Sequence, residues 1–133
     1  VDYRFFCSYG KCQAINVDLG TADEEGRHAS SFHGNVYDRE WNQLDIQIDA
    51  PPIEDRIIPR PKRLDDMLAY AEKLAAPFPF CRVDLYHLDD DTILFGEITF
   101  FNNGGNNPIE PRSSETLLGS WVAIPEGAQQ LDL

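Results

Sequence analysis

Residues Phe80-Cys81-Arg82-Val83-Asp84-Leu85-Tyr86 and Phe95-Gly96-Glu97-Ile98-Thr99-Phe100, joined across Asp89-Asp90-Asp91, decide how this chain is read. Both runs are rich in aromatic and β-branched residues and alternate with period two, so strands are predicted over 80–88 and 92–101 with a tight turn between them. Alternation places Arg82, Asp84 and Tyr86 on one face of the first strand and Val83 and Leu85 on the other. On the second strand, Phe95, Glu97 and Thr99 share a face, opposite Gly96, Ile98 and Phe100. A turn centred between Asp90 and Asp91 pairs Asp84 directly with Glu97, and Arg82 with Thr99. Facing carboxylates repel in a sheet, so something compensates. A hard divalent cation held by two carboxylates and by substrate phosphates would do so, as Mg²⁺ commonly is. Solvation of the hairpin, or neutralisation by Arg82, is the alternative reading. On the cation reading, repulsion in the metal-free chain raises proton affinity, and Asp84→Asn leaves metal-free stability equal or higher.

Working outward, the segment before this hairpin is an amphipathic helix. Leu64, Met67, Leu68, Ala71, Leu74 and Ala75 form one apolar stripe, and Pro77 stops it. Pro51, Pro52, Pro59 and Pro61 make residues 50–63 an extended connection. The chain opens with a second hairpin. Tyr3, Phe5 and Cys7 precede a Tyr9-Gly10 turn, and Gln13, Ile15, Val17 and Leu19 return on one face with Ala14, Asn16 and Asp18 on the other. A two-residue turn there sets Cys7 opposite Cys12. Residues 20–34 are small, polar and aperiodic and read as a loop; a third strand runs from about 35–38 into the alternation of Leu44, Ile46 and Ile48. Residues 102–113 read as a loop, with Ser114 capping a short helix through Leu118. The result is one α+β domain spanning 1–133, an antiparallel sheet of hairpins with one main helix packed on a face.

The 133 residues carry 23 acidic and 11 basic side chains, a formal charge of −12. That balance argues against binding a nucleic-acid backbone or an anionic membrane surface. No apolar run is long enough to span a bilayer, and no signal-peptide pattern opens the chain. Three cysteines, Cys7, Cys12 and Cys81, lack zinc or redox spacing and read as reduced thiols of a cytoplasmic protein. Val1 is not a start methionine and lies inside an expected strand, the pattern of a part of a longer protein. Trp41 and Trp121 read as packing anchors, Lys11 as a surface residue, and His87 as half-buried. His28 and His33 have no third ligand nearby. Asp89–Asp91 is a solvated turn or a loose Ca²⁺ site. Arg4 either reaches a phosphate or is a solvated charge on an exposed strand. No Ser/His/Asp order, Walker loop or Rossmann glycine pattern is present.

These blocks resemble the ATP-grasp superfamily. RVDLY, a short turn and FGEITF are similar to its metal-binding hairpin, and DYRFFCSYGK is similar to the first hairpin of its C-terminal subdomain. With YDREWNQLDIQI, PRPKRLDDMLAYAEKLAAPFPF and a terminal LGS, the fuller pattern resembles the TupA-like branch named for teichuronopeptide biosynthesis. The resemblance implies an ATP- and Mg²⁺-dependent ligase that phosphorylates a carboxylate, of a sugar acid or amino acid, and lets an amine or similar nucleophile attack the acyl phosphate, in cell-surface polysaccharide or peptide-conjugate synthesis. On it, Asp84 and Glu97 fall on the Mg²⁺ ligands, Arg82 on the arginine facing the transferred phosphoryl group, and Arg4, Phe95 and Thr99 beside the nucleotide. Thr99 stands where the superfamily often has Asn, and the loop after it lacks the usual proline. The lid subdomain that closes over adenine would precede Val1, so the isolated chain is expected to be inactive. The alternative is a non-catalytic binding or structural module that keeps the fold.

Overall fold

The computed structural model describes residues 1–20, 33–48, 50–54 and 56–100, and the backbone of 109–110. Strands β1 (Asp2–Ser8), β2 (Lys11–Leu19), β3 (His33–Tyr37), β4 (Gln43–Leu44), β6 (Cys81–His87) and β7 (Ile93–Thr99) form an antiparallel sheet in the order β4-β3-β2-β1-β6-β7. β5 (Gln47–Ile48) pairs separately with β8 (Ile109–Glu110). Helix α1 (Leu64–Ala75) covers one face of the large sheet. The α+β class and, among the described residues, the one helix packed on a sheet face are as the sequence predicts.

The helix forms where its apolar stripe meets favourable ends. Asp65 and Asp66 lie in its first turn and Lys73 in its last, complementing the macrodipole. Leu64, Met67, Leu68, Ala71 and Ala75 are buried against Tyr3, Phe5, Ile15, Val17, Val83 and Leu85. Leu74, predicted in the stripe, is 39% exposed and lies at the stripe's margin. Glu72 ties helix to hairpin, accepting the Cys12 N–H at 2.8 Å and an Arg39 N–H on the same carboxylate. Opposite the helix, a smaller cluster of Phe6, Ala14, Val36, Ile46 and Ile48 covers part of the other sheet face.

The β1–β2 turn is the expected one. Tyr9 and Gly10 both have positive φ, 47° and 77°, the pattern of a type I′ turn that matches the strand twist. Cys7 pairs with Cys12, as predicted, and also with Cys81 on β6. A bulge between Phe6 and Cys7 then shifts the register, so Cys12 shares the helix side with Ile15 despite its spacing. All three thiols are free and buried. Burial pushes the Cys81 thiol up to about 11, and the neighbouring Cys12 thiol and burial raise Cys7 strongly. Thiolate is therefore scarce, and alkylation by iodoacetamide in native buffer is expected to proceed only as fast as the fold opens. Fast labelling of any of the three in the folded chain would contradict this burial.

Several local expectations are corrected. His33 and Gly34 belong to β3, not to a loop. The expected run from 35–38 through Leu44, Ile46 and Ile48 is interrupted twice: Trp41, with φ 68°, turns the chain between β3 and β4, and β4 and β5 are separate short strands. Stacking on Tyr37 (centroids 4.1 Å apart) and an Nε1 hydrogen bond to the Ile58 carbonyl hold it there. Residues 109–110 form β8 where a loop was expected. Asp91 is no merely solvated residue: it adopts φ 65° and its carboxylate meets Lys62 and His87. His28, the capped helix at 114–118 and Trp121 lie outside the described residues.

Candidate functional site

The sheet face away from α1 carries a polar row on four adjacent strands. Asn16 (β2), Arg4 (β1), Asp84 (β6) and Glu97 (β7) are successive cross-strand partners, with Arg82 facing Thr99 one step along. Asp84 and Glu97 are therefore side by side, as the sequence reading has it, although the turn is not the one assumed there. His87 pairs with Ile93, so the loop is odd and centred on Asp90, closed by hydrogen bonds from Leu88 N to Thr92 O (2.9 Å) and from Asp91 N to Leu88 O (3.0 Å). Gly96 then bulges out of the ladder and restores the offset. The same bulge overturns the placement of Phe95. It pairs with Leu85, whose side chain packs in the helix-side core, and does not share a face with Glu97 and Thr99.

Gly96 is required there by space. A Cβ at this position would lie 2.8 Å from Tyr86 Cε2 and 3.1 Å from the Asp84 carbonyl oxygen. Gly96→Ala is expected to cost about 1–2 kcal/mol through this crowding. The substitution should also perturb the amide resonance of Glu97 more than that of Ile93, and equal perturbation would argue against a bulge that aims Glu97.

Arg82 occupies the centre of the row. Its side chain is 8% exposed. Nε and Nη2 donate to the two Asp84 oxygens at 2.8 and 2.9 Å, and Nη2 also reaches Glu97 Oε1 at 3.2 Å and Thr99 Oγ1 at 3.4 Å. The compensation for two facing carboxylates is thus already present within the chain. This argues against the expectation that Asp84→Asn leaves metal-free stability unchanged or higher, because both Asp84 oxygens accept from a buried guanidinium. Asp84 has its proton affinity raised, as expected, but burial is the main cause; Arg82 and Arg4 oppose it and Glu97 adds least.

Arg4 is no exposed-strand charge. β1 is central, and the side chain is 21% exposed, with Nη1 2.6 Å from Asp18 Oδ2 and Nε 4.0 Å from Asp84 Oδ2. Asp18 and Asn16, each 1% exposed, complete the row. Sequence reasoning placed both on this face without marking them. The available signal was their alternation with Ile15, Val17 and Leu19, since two uncompensated polar residues inside a central strand need partners. Among the described residues no group of three or more His, Cys, Asp or Glu is arranged to hold a metal. Two open concavities of about 430 and 500 Å³ lie elsewhere, one beside Leu19 and Ile53 and the other beside Arg39 and Glu72.

An antiparallel hairpin that sets an arginine between two carboxylates, flanked by a second arginine on a central strand, defines a domain that handles charge on one sheet face. The chain belongs to the TupA-like ATPgrasp family, whose family model matches residues 1–123. It is thus an ATP-grasp, ligase-type domain. No curated protein matches the chain, and no solved structure does. Among the described residues, no helix is long and apolar enough to cross a membrane.

Proposed function

We propose that this chain is the metal- and phosphate-handling part of an ATP-dependent ligase that joins a carboxylate-bearing substrate, a sugar acid or an amino acid, to an amine or similar nucleophile. The pathway we assign is cell-surface polysaccharide or peptide-conjugate synthesis, in the cytoplasm. The observation that carries the reading is the direct pairing of Asp84 with Glu97 across β6 and β7, with Arg82 reaching both. Exposed Leu94, Phe95 and Phe100 on and beside β7, the outermost strand among the described residues, are what a lid half, closing from elsewhere in the protein, would cover.

The donor set fits Mg²⁺. Both ligands are hard oxygens on adjacent strands, and Mg²⁺ is usually held by one or two carboxylates while phosphates and waters complete its shell. Bound there, the ion would neutralise phosphate charge during transfer. The protein's own part is positioning. Arg82 is held within hydrogen-bond reach of both carboxylates, so these residues would keep a guanidinium beside the ion they would hold, where it would face an accompanying anion. Thr99 offers a hydroxyl beside Arg82 and steadies it. Phosphoryl transfer depends chiefly on such positioning and charge neutralisation.

The test is a Mg²⁺ titration of melting temperature on the chain itself. With affinity of about 1 mM, 10 mM Mg²⁺ raises stability by about 1.4 kcal/mol. The rise should vanish in Asp84→Asn and shrink in Glu97→Gln. Acidification should weaken it too. Burial raises the proton affinity of Asp84, so protons compete with the cation there and the response fades as pH falls, at a higher pH than for an exposed carboxylate. A Mg²⁺ response that persists in Asp84→Asn, or none in the parent chain, sinks the metal reading in favour of a non-catalytic module.

A further inference from the structure

We propose that Asp18 is the residue that positions Arg4, and that the Arg4 guanidinium so held receives an oxyanion of the substrates beside Asp84. The proposal rests on the ligase reading of this sheet face. Arg4 has two carboxylates within reach, yet its geometry is unequal. Nη1 is drawn 2.6 Å from Asp18 Oδ2, on the β2 side, while Nε stays 4.0 Å from Asp84 Oδ2, too far for a hydrogen bond. Asp84 is already taken by Arg82 through both oxygens. Arg4 Nε is buried and has no hydrogen-bond partner among the described residues. A buried donor without a partner is rare in folded proteins and calls for an explanation, a bound ion among them.

The surroundings of Asp18 are built to keep its carboxylate in place. Asn16 Nδ2 donates to Asp18 Oδ1 at 3.3 Å. On the facing strand Gly34 is the cross-strand partner of Asp18, and a Cβ there would lie 2.5 Å from Asp18 Oδ1. Any larger residue at 34 would push the carboxylate aside. Asn16 Oδ1, also buried and without a partner, lies on the same side, 3.4 Å from that absent Cβ. Anchored at one end, a guanidinium loses little freedom when its other edge closes on an anion, which is how a preorganised donor gains strength. An oxyanion here has two sources, a nucleotide phosphate or a substrate carboxylate, and the arms of the test separate them.

The full chain, ¹⁵N-labelled, is titrated with magnesium pyrophosphate in one arm and with succinate in the other, following the Arg4 Nε–Hε resonance. That resonance is expected to move on titration, with pyrophosphate if the site takes phosphate and with succinate if it takes carboxylate. No movement with either overturns the proposal outright. Asp18→Asn, which keeps shape and removes charge, should weaken the active probe about tenfold, one charge-assisted contact's worth. Arg4→Lys should weaken it similarly, and the double variant no further, since the two act as one unit. A merely structural Asp18 would lower melting temperature and leave the affinity of the folded fraction unchanged, which also overturns the proposal. Should Asp18→Asn fail to fold, Gly34→Ala displaces the same carboxylate without removing it, and unchanged affinity there is equally fatal. The Mg²⁺ response of Asp84→Asn is scored separately. Its persistence counts against the ligase reading, whereas the succinate arm, run without metal, judges Asp18 and Arg4 alone.

Discussion

Asp84→Asn is expected to destabilise the metal-free chain by about 3 kcal/mol, the low end of what removing one partner of a buried ion pair costs. Asp84 and Arg82 are 6% and 7% exposed, and the pair is bidentate. After the substitution the Asp84 oxygens no longer balance the guanidinium as a charge, and Glu97, whose side chain is 63% exposed, is a weakly coupled counter-charge. For a domain of this size the loss corresponds to a fall in melting temperature of roughly 10 °C. Replacing both partners at once, Arg82→Met with Asp84→Leu, should recover much of it, since an apolar pair carries no desolvation cost. The double variant should nevertheless show no Mg²⁺ response. A melting temperature for Asp84→Asn equal to or above that of the parent would mean that carboxylate repulsion, and not the Arg82 pair, governs this face.

Gly10→Ala is expected to cost about 3 kcal/mol from two sources, roughly 1–2 for a left-handed residue with a side chain and the remainder from overpacking. Gly10 has φ 77°, and a Cβ there would lie 2.9 Å from Ala76 Cα and 3.1 Å from the Glu72 carbonyl oxygen. Both are backbone atoms at the end of α1, so little can yield. Urea denaturation should show the midpoint falling with the slope unchanged. Gly10→Asn separates the sources. Asn tolerates the left-handed region but carries the same Cβ, so it should recover about 1 kcal/mol and no more. At the preceding position Tyr9 holds φ 47° without being glycine, and Tyr9→Asn should raise stability by roughly 0.5 kcal/mol. A loss below 1 kcal/mol in Gly10→Ala would place the helix end away from this turn.

The class of fold, the helix and the facing of Asp84 with Glu97 were all legible from residue order, because each depends on short periods. The apolar stripe from Leu64 to Ala75 can bury itself in few ways, and alternation through 81–87 allows Asp84 one face. The resemblance of the flanking blocks to the ATP-grasp pattern was legible for the same reason: it resides in ordered short motifs. The pairing of the two carboxylates was nevertheless reached by a turn that does not exist. An odd loop at Asp89–Asp91 and a bulge at Gly96 each displace the register by one residue and cancel. Phe95 lies between them, so it alone among the proposed site residues was set on the wrong face.

Tertiary structure decided what alternation cannot carry, namely which strands become neighbours. Placing β1 between β2 and β6 turns Arg4 from a surface charge into a half-buried one, and brings Asp18, distant from Asp84 in sequence, to the other side of the same guanidinium. The folded hairpin also decided between the two readings that spacing left open: Arg82 lies between Asp84 and Glu97, so the chain supplies its own counter-ion. The sequence by itself determined the strands, the helix and the two facing carboxylates, since local sterics and hydrophobic period act within a few residues. Only the assembled sheet determined how their charges are shared, because Coulomb interaction and desolvation depend on distance through space and on burial, neither of which is written in the order of residues.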